Sequence, residues 1–164
     1  MNSNIVIADC FKTYRHDQDK AKSPAETVCW VKESLAKLNL KILTETRRID
    51  TGRLDIPIYI SLCGEDATRF TGTKKQMGKG ATPIQSEASA LMELMERFSF
   101  FSFIHHHPFP LTYFGEIHSR AISPASLRVS LRDDDSPVEL CKTFLQEFPM
   151  RWAVARNLTR NEDQ

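Results

Sequence analysis

Three times in a chain of 164 residues a hydroxyl side chain is followed by proline and, three positions after the hydroxyl, by Glu or Gln: "SPAE" at Ser23–Glu26, "TPIQ" at Thr82–Gln85 and "SPVE" at Ser136–Glu139. Each is a capping box. The hydroxyl accepts from a free first-turn N–H, and proline suits the first helical position because its missing N–H has no bond to lose there. The Glu or Gln reaches back to the cap. Helix starts separated by strand-like alternation imply an α/β (α+β) fold, with a mixed sheet packed against helices.

The spacing predicts a first helix over 23–38, with Val28, Val31, Leu35 and Leu38 forming one buried stripe. Residues 1–22 precede it as an arm. Residues 40–76 read as strands: "LKILTETRRI", then "LDIPIYISL", where Ile56, Ile58, Ile60 and Leu62 alternate with Pro57, Tyr59 and Ser61. Pro57 cannot donate to a ladder, which places this strand at an edge or beside a bulge. "RFTGTKKQMGKGA" reads as a short strand or turn leading into the second helix, 82–105. Residues 106–135 read as a long, mostly irregular connection. The remainder, 136–158, reads as a helix burying Val138, Cys141, Leu145 and Phe148, then a strand "MRWAVARNL" carrying Trp152, Val154 and Leu158. A chain of this length is expected to form one domain.

Lys and Arg number 22 against 21 acidic residues, so a formal charge of +1 offers no global field for nucleic acid or an anionic membrane. Cys10, Cys29, Cys63 and Cys141 form no C-x-x-C pair, which argues against a zinc site and a disulfide scaffold and for reduced thiols. No apolar run approaches the ~20 residues of a membrane span, and the first residues lack the apolar core of a signal peptide. The expected setting is the cytoplasm.

Within the second helix, Ser89, Glu93, Glu96 and Arg97 fall inside an arc of roughly 100°, opposite Ile84, Ala88, Leu91, Leu94, Met95 and Phe98. Two glutamates three apart repel unless something positive sits between them. One reading is a surface stripe in which Arg97 pairs with Glu93. The other is that Glu93 and Glu96 hold Mg²⁺, a hard cation that binds through one or two carboxylates plus substrate phosphates, with Ser89 donating to a nucleotide. Phe98, Phe100, Phe101 and Phe103 extend the apolar character around the helix, so the acidic turn is expected to be enclosed. The entry "MGKGATP" sets Lys79 just before a helix N-terminus, where an anion is favoured, although it lacks the G-x-x-x-x-G-K-[ST] pattern of a Walker A loop.

Other features have plainer readings. Three adjacent histidines in "IHHHPFP" point in different directions and suit a helix C-terminus. Asp133–Asp135 complement the dipole of the helix that Ser136 caps. Lys74 and Lys75 meet phosphates or solvate a turn, and Arg47 and Arg48 form a solvated face or protect a strand edge.

"GKGATPIQSEASALMELMER" resembles the first nucleotide-binding segment of the YcaO family, whose signature is S-x-x-x-E-x-x-E-R. Here that is Ser89, Glu93, Glu96 and Arg97, with a G-K-G-x-[TS] entry ahead of it. "KTYRHDQDKAKSPAETV" resembles the family's opening arm and first helix, "LDIPIYISL" the strand before the motif, and "MRWAVARNLTR" its continuing sheet. The likeness covers nearly all of this chain but less than half of a family domain, and the family's second glutamate-rich motif is not in this sequence. The resemblance implies ATP-dependent activation of a peptide backbone amide, leading to azolines, thioamides or amidines. ATP and Mg²⁺ would be the cofactors, Glu93 and Glu96 metal ligands, and Ser89, Arg97, Lys79 and, from the arm, Lys12 nucleotide-binding residues. The partners expected are a peptide or protein substrate, a partner protein of a modification system and a second copy of the chain. The chain alone is expected to bind ATP weakly and to turn over nothing measurable. The alternative is a noncatalytic docking fragment that keeps the motif for folding.

Overall fold

The Ser23 box forms as its sequence implies. Ser23 Oγ accepts from the Glu26 N–H at 3.3 Å, and the Glu26 carboxylate accepts from the Ser23 N–H at 2.8 Å, opening helix α1 (Pro24–Ala36). The structure, a computed structural model, describes residues 9, 11, 20–123, 126, 147–160 and 162–163. Lys12, Asp133–Asp135, the Ser136 box and the buried positions Val138, Cys141 and Leu145 expected of the helix after it lie outside the described residues. The chain divides into two compact units, one ending at His106 and the other running from His107.

In the first unit α1 buries Val28, Val31 and Leu35. Leu38, expected on the same stripe, is 47% exposed because the helix stops at Ala36 and the following turn carries Leu38 outward. Strand β1 (Leu43–Arg48), strand β2 (Ile58–Cys63) and strand β3 (Lys75–Lys79) form one antiparallel sheet in the order β1-β2-β3. The strand that follows Pro57 is therefore central, not an edge. Pro57 is compatible with this because it precedes the first ladder residue, and the irregularity in register falls on β1, between Leu43 and Glu45.

Between β2 and β3 the chain makes a seven-residue helix, α2 (Glu65–Thr71), where only strands and a turn are expected from the sequence. Glu65 and Asp66 occupy its first turn, Arg69 its last, and Gly72 ends it at φ 68°, the left-handed conformation that glycine adopts without penalty. Seven residues are too few for a helical apolar period to stand out.

The Thr82 box then opens helix α3 (Pro83–His106): Thr82 Oγ1 accepts from the Gln85 N–H, and Gln85 Oε1 accepts from the N–H groups of Ala81 and Thr82. α3 lies across the sheet. Its Ala88, Leu91 and Leu94 join Val28, Val31 and Leu35 of α1, Ile42 and Ala67 in the core, with Leu43, Cys63, Met95 and Phe98 packed against it. Ile84, expected on the apolar side, is exposed, since it sits in the first turn beyond the edge of that cluster.

The register identifies which sheet face meets α3. Thr46, Ser61 and Gln76 stand side by side across the three strands, as do Arg48, Tyr59 and Gly78. Thr46 and Ser61 both donate to α3, to Glu87 Oε1 at 2.6 Å and to Ala90 O at 2.8 Å. The apolar set Ile58, Ile60 and Leu62 thus occupies the other face, beside Met77.

The second unit is described in shorter pieces. Strand β4 (Leu111–Thr112) leads into the single-turn helix α4 (Phe114–Ile117), and β4 pairs antiparallel with strand β5 (Met150–Arg151). Trp152 closes this piece, its backbone N–H donating to Pro110 O and its indole N–H to Thr112 O, while its ring stacks on Phe114. Strand β6 (Arg156–Asn157) pairs with strand β7 (Glu162–Asp163). "MRWAVARNL" is therefore two separate bridges and not one strand, and Val154 is 78% exposed, with Leu158 exposed as well. Phe148, expected inside, is half exposed.

Candidate functional site

The site is built on α3, whose orientation is set by how closely it approaches the sheet. A Cβ added at Gly78 would lie 2.1 Å from Ala90 N and 2.4 Å from Ser86 O; one at Gly80 would lie 2.6 Å from Gln85 Cβ and Ser86 N. These glycines are therefore close-contact positions, where any side chain would push the helix away. Ser86 and Ala90, one turn apart and both fully buried, are the small residues that meet them. Ser86 Oγ donates to Gly78 O at 2.8 Å, which complements the Ser61 bond to Ala90 O from the neighbouring strand.

A second tie holds α3 from the side. Glu87 Oε1 accepts from Lys32 Nζ of α1 and Thr46 Oγ1 of β1, both at 2.6 Å, with its side chain only 15% exposed. Burial pushes this carboxyl up, but the Lys32 and Thr46 bonds outweigh it and hold the group below the ordinary glutamate range. Nothing in the sequence spacing singles out Glu87, because its partners are 55 and 41 residues away.

Beyond these contacts Ser89, Glu96 and Arg97 are exposed and Glu93 is half-buried: by helical period Ser89 and Glu96 point away from the seated Ser86 and Ala90, whereas Glu93 and Arg97 continue the direction of those two residues about two turns further along α3. Ser89 and Glu96 are exposed, and their side chains have no hydrogen-bond partner among the described residues. Arg97 Nε donates to Glu93 Oε1 at 2.6 Å, an i,i+4 pair with the two side chains 43% and 37% exposed. The surface-stripe pairing thus exists. It engages one oxygen of Glu93, leaving Glu93 Oε2 and both oxygens of Glu96 for another ligand.

The expected enclosure of this turn is not seen among the described residues. Phe98 turns inward, meeting Phe70 of α2 edge-on at 5.8 Å, whereas Phe100 and Phe103 are more than half exposed. The reason is angular: rings two and five residues beyond Phe98 leave the core side of a 3.6-residue helix.

Lys79 is not brought to this face. Gly78 faces α3, so its neighbour Lys79 directs its side chain to the other side of the sheet. His105 and His106 pack against Phe70 at the end of α3, and no group of three or more His, Cys, Asp or Glu suited to a metal occurs among the described residues. The donors on α3 nevertheless fit Mg²⁺ chemically. They are hard carboxylate oxygens from two side chains, the number such ions usually take from protein when phosphates complete the shell. Among the described residues no helix is long and apolar enough to cross a membrane.

A family model described as YcaO cyclodehydratase, ATP- and Mg²⁺-binding, matches residues 77–164. No curated protein matches. Among solved structures, YcaO from Methanopyrus kandleri bound with AMPPCP and Mg²⁺ is similar at 27% identity, over 49% of this chain and 20% of that chain, with a TM-score of 0.37. This chain thus spans about a fifth of that protein. The family match covers more than half of the sequence and takes in all of α3, and on that ground the chain belongs to the YcaO family.

Proposed function

We propose that the outer face of α3 is one side of an ATP- and Mg²⁺-binding site serving activation of a peptide backbone amide. The observation that carries this reading is the accessibility of Ser89, Glu96 and Arg97, with Glu93 half-buried among them, on a helix fixed against the sheet, with three carboxylate oxygens uncommitted. Family membership supports it independently.

Glu93 and Glu96 would hold Mg²⁺, and the Arg97 guanidinium, already beside Glu93, would add positive charge for a phosphate oxygen. Ser89, one turn before Glu93, would donate its hydroxyl to the nucleotide. Lys12 from the arm belongs to the same nucleotide-side set. Bound metal ions supply charge neutralisation and alignment, which phosphoryl transfer needs more than covalent help from protein. Azoline formation, thioamidation and an accessory role in ribosomal-protein methylthiolation are the modifications this reading includes. A peptide or protein is the substrate, a modification protein the partner, and the cytoplasm the setting.

Titration of the chain with ATP and Mg²⁺, alongside Glu93→Gln and Glu96→Gln, tests the reading. Each variant keeps its size and loses its charge, and binding is expected to weaken at least tenfold in both. Equal binding by all three proteins, or none by any, would overturn the site and favour a noncatalytic docking role.

A further inference from the structure

We propose that Phe100 is the platform on which the nucleotide base stacks; this rests on the reading of α3 given above. Phe100 follows Glu93 by seven residues and Glu96 by four, so on a 3.6-residue helix its direction falls between theirs. Along the axis it lies about 6 Å beyond Glu96 and about 10 Å beyond Glu93. A ligand whose phosphates reach the two carboxylates would carry its ribose over the intervening turn and its base onto this ring.

The ring is 55% exposed. It is also braced, because Phe101, half-buried, meets it edge-on at 5.3 Å and 75° between planes. An edge-on neighbour fixes a ring while leaving at least one of its broad faces open, and one open face is what a stacked base requires. Phe98 cannot serve, since it is committed to Phe70 on the core side. Base–aromatic stacking accepts any base, so this contact would add affinity for nucleotides over bare polyphosphate without selecting adenine.

The chain and its Phe100→Ala, Phe100→Leu and Phe100→Tyr variants are titrated with ATP and, separately, with inorganic tripolyphosphate, each with Mg²⁺. Phe100→Ala and Phe100→Leu are expected to weaken ATP binding about tenfold and to leave tripolyphosphate within twofold, whereas Phe100→Tyr keeps both. The leucine variant keeps apolar bulk, so the outcome can be read even if the alanine variant folds poorly. Loss of both ligands to the same extent, or an unchanged ATP affinity, overturns the platform. Tripolyphosphate binding as tight as ATP in the unaltered chain overturns it too while leaving the carboxylate site standing. Binding of neither ligand overturns both.

Discussion

The two sides of α3 obey opposite rules. Toward the sheet, no buried side-chain polar atom among the described residues lacks a partner, and the contacts are short: Ser86 on Gly78, Ala90 under Ser61, Glu87 between Lys32 and Thr46. Toward the outside, Ser89 and Glu96 have no such partner, Glu93 keeps a free oxygen, and Phe100 shows its ring. Groups that specify structure are satisfied; the groups assigned to ligand binding in the proposal above are not. The contrast predicts that substitutions on the two sides will separate stability from binding.

The largest stability effect is expected at Gly78. Gly78→Ala inserts a methyl where backbone atoms already stand, and overpacking of this kind costs about 1–3 kcal/mol or more. Urea denaturation would report it as a lower midpoint. A midpoint unchanged from that of the unaltered chain would mean that α3 does not seat on β3 so closely.

Glu87→Ala comes next, at about 1–3 kcal/mol, because it leaves Lys32 and Thr46 without their shared acceptor. Its effect should depend on pH. A carboxyl held below its unfolded value stabilises above that value, about 4.3, and ceases to do so as pH falls through its folded pKa. The gap in urea midpoint between the two proteins should therefore be full at pH 7 and shrink toward pH 3. Asp50 acts in the same sense: the Arg48 guanidinium, at 2.6 and 2.9 Å, and the Ile58 N–H hold its carboxyl far below the ordinary range. That group adds to acid sensitivity in both proteins and leaves their difference intact.

The smallest effect belongs to the outer side. Glu96→Gln should move stability by no more than about 0.5 kcal/mol, as expected for an exposed position without a partner. Thermal unfolding of this variant checks it. A large loss would place Glu96 among the structural residues and weaken the contrast between the two sides.

How far the sequence foretold this arrangement depends on the signal each part leaves. The Ser23 and Thr82 boxes mark helix starts because capping is local chemistry. The direction shared by Ser89, Glu93, Glu96 and Arg97 follows from helical period alone. Alternation in "IPIYISL" reveals a strand but not which face a helix will cover, and here the helix covers the face of Tyr59 and Ser61. α2 was hidden by its length, and Glu87 by partners distant in sequence. The number of phenylalanines after Glu96 implies enclosure, yet Phe100 and Phe103 are exposed, because a count says nothing about direction.

The two hydroxyl bonds, Ser86 to Gly78 and Ser61 to Ala90, come from opposite partners: one is sent by the helix and one by the sheet. Together they key α3 like a shaft in its housing. Turning the helix by a single residue would swing its outer groups through about 100° and break both bonds at once. Aim, and not merely attachment, is what these two small side chains provide. A ligand meeting Glu93 and Glu96 would find them already pointed, with no helix rotation left to perform on binding.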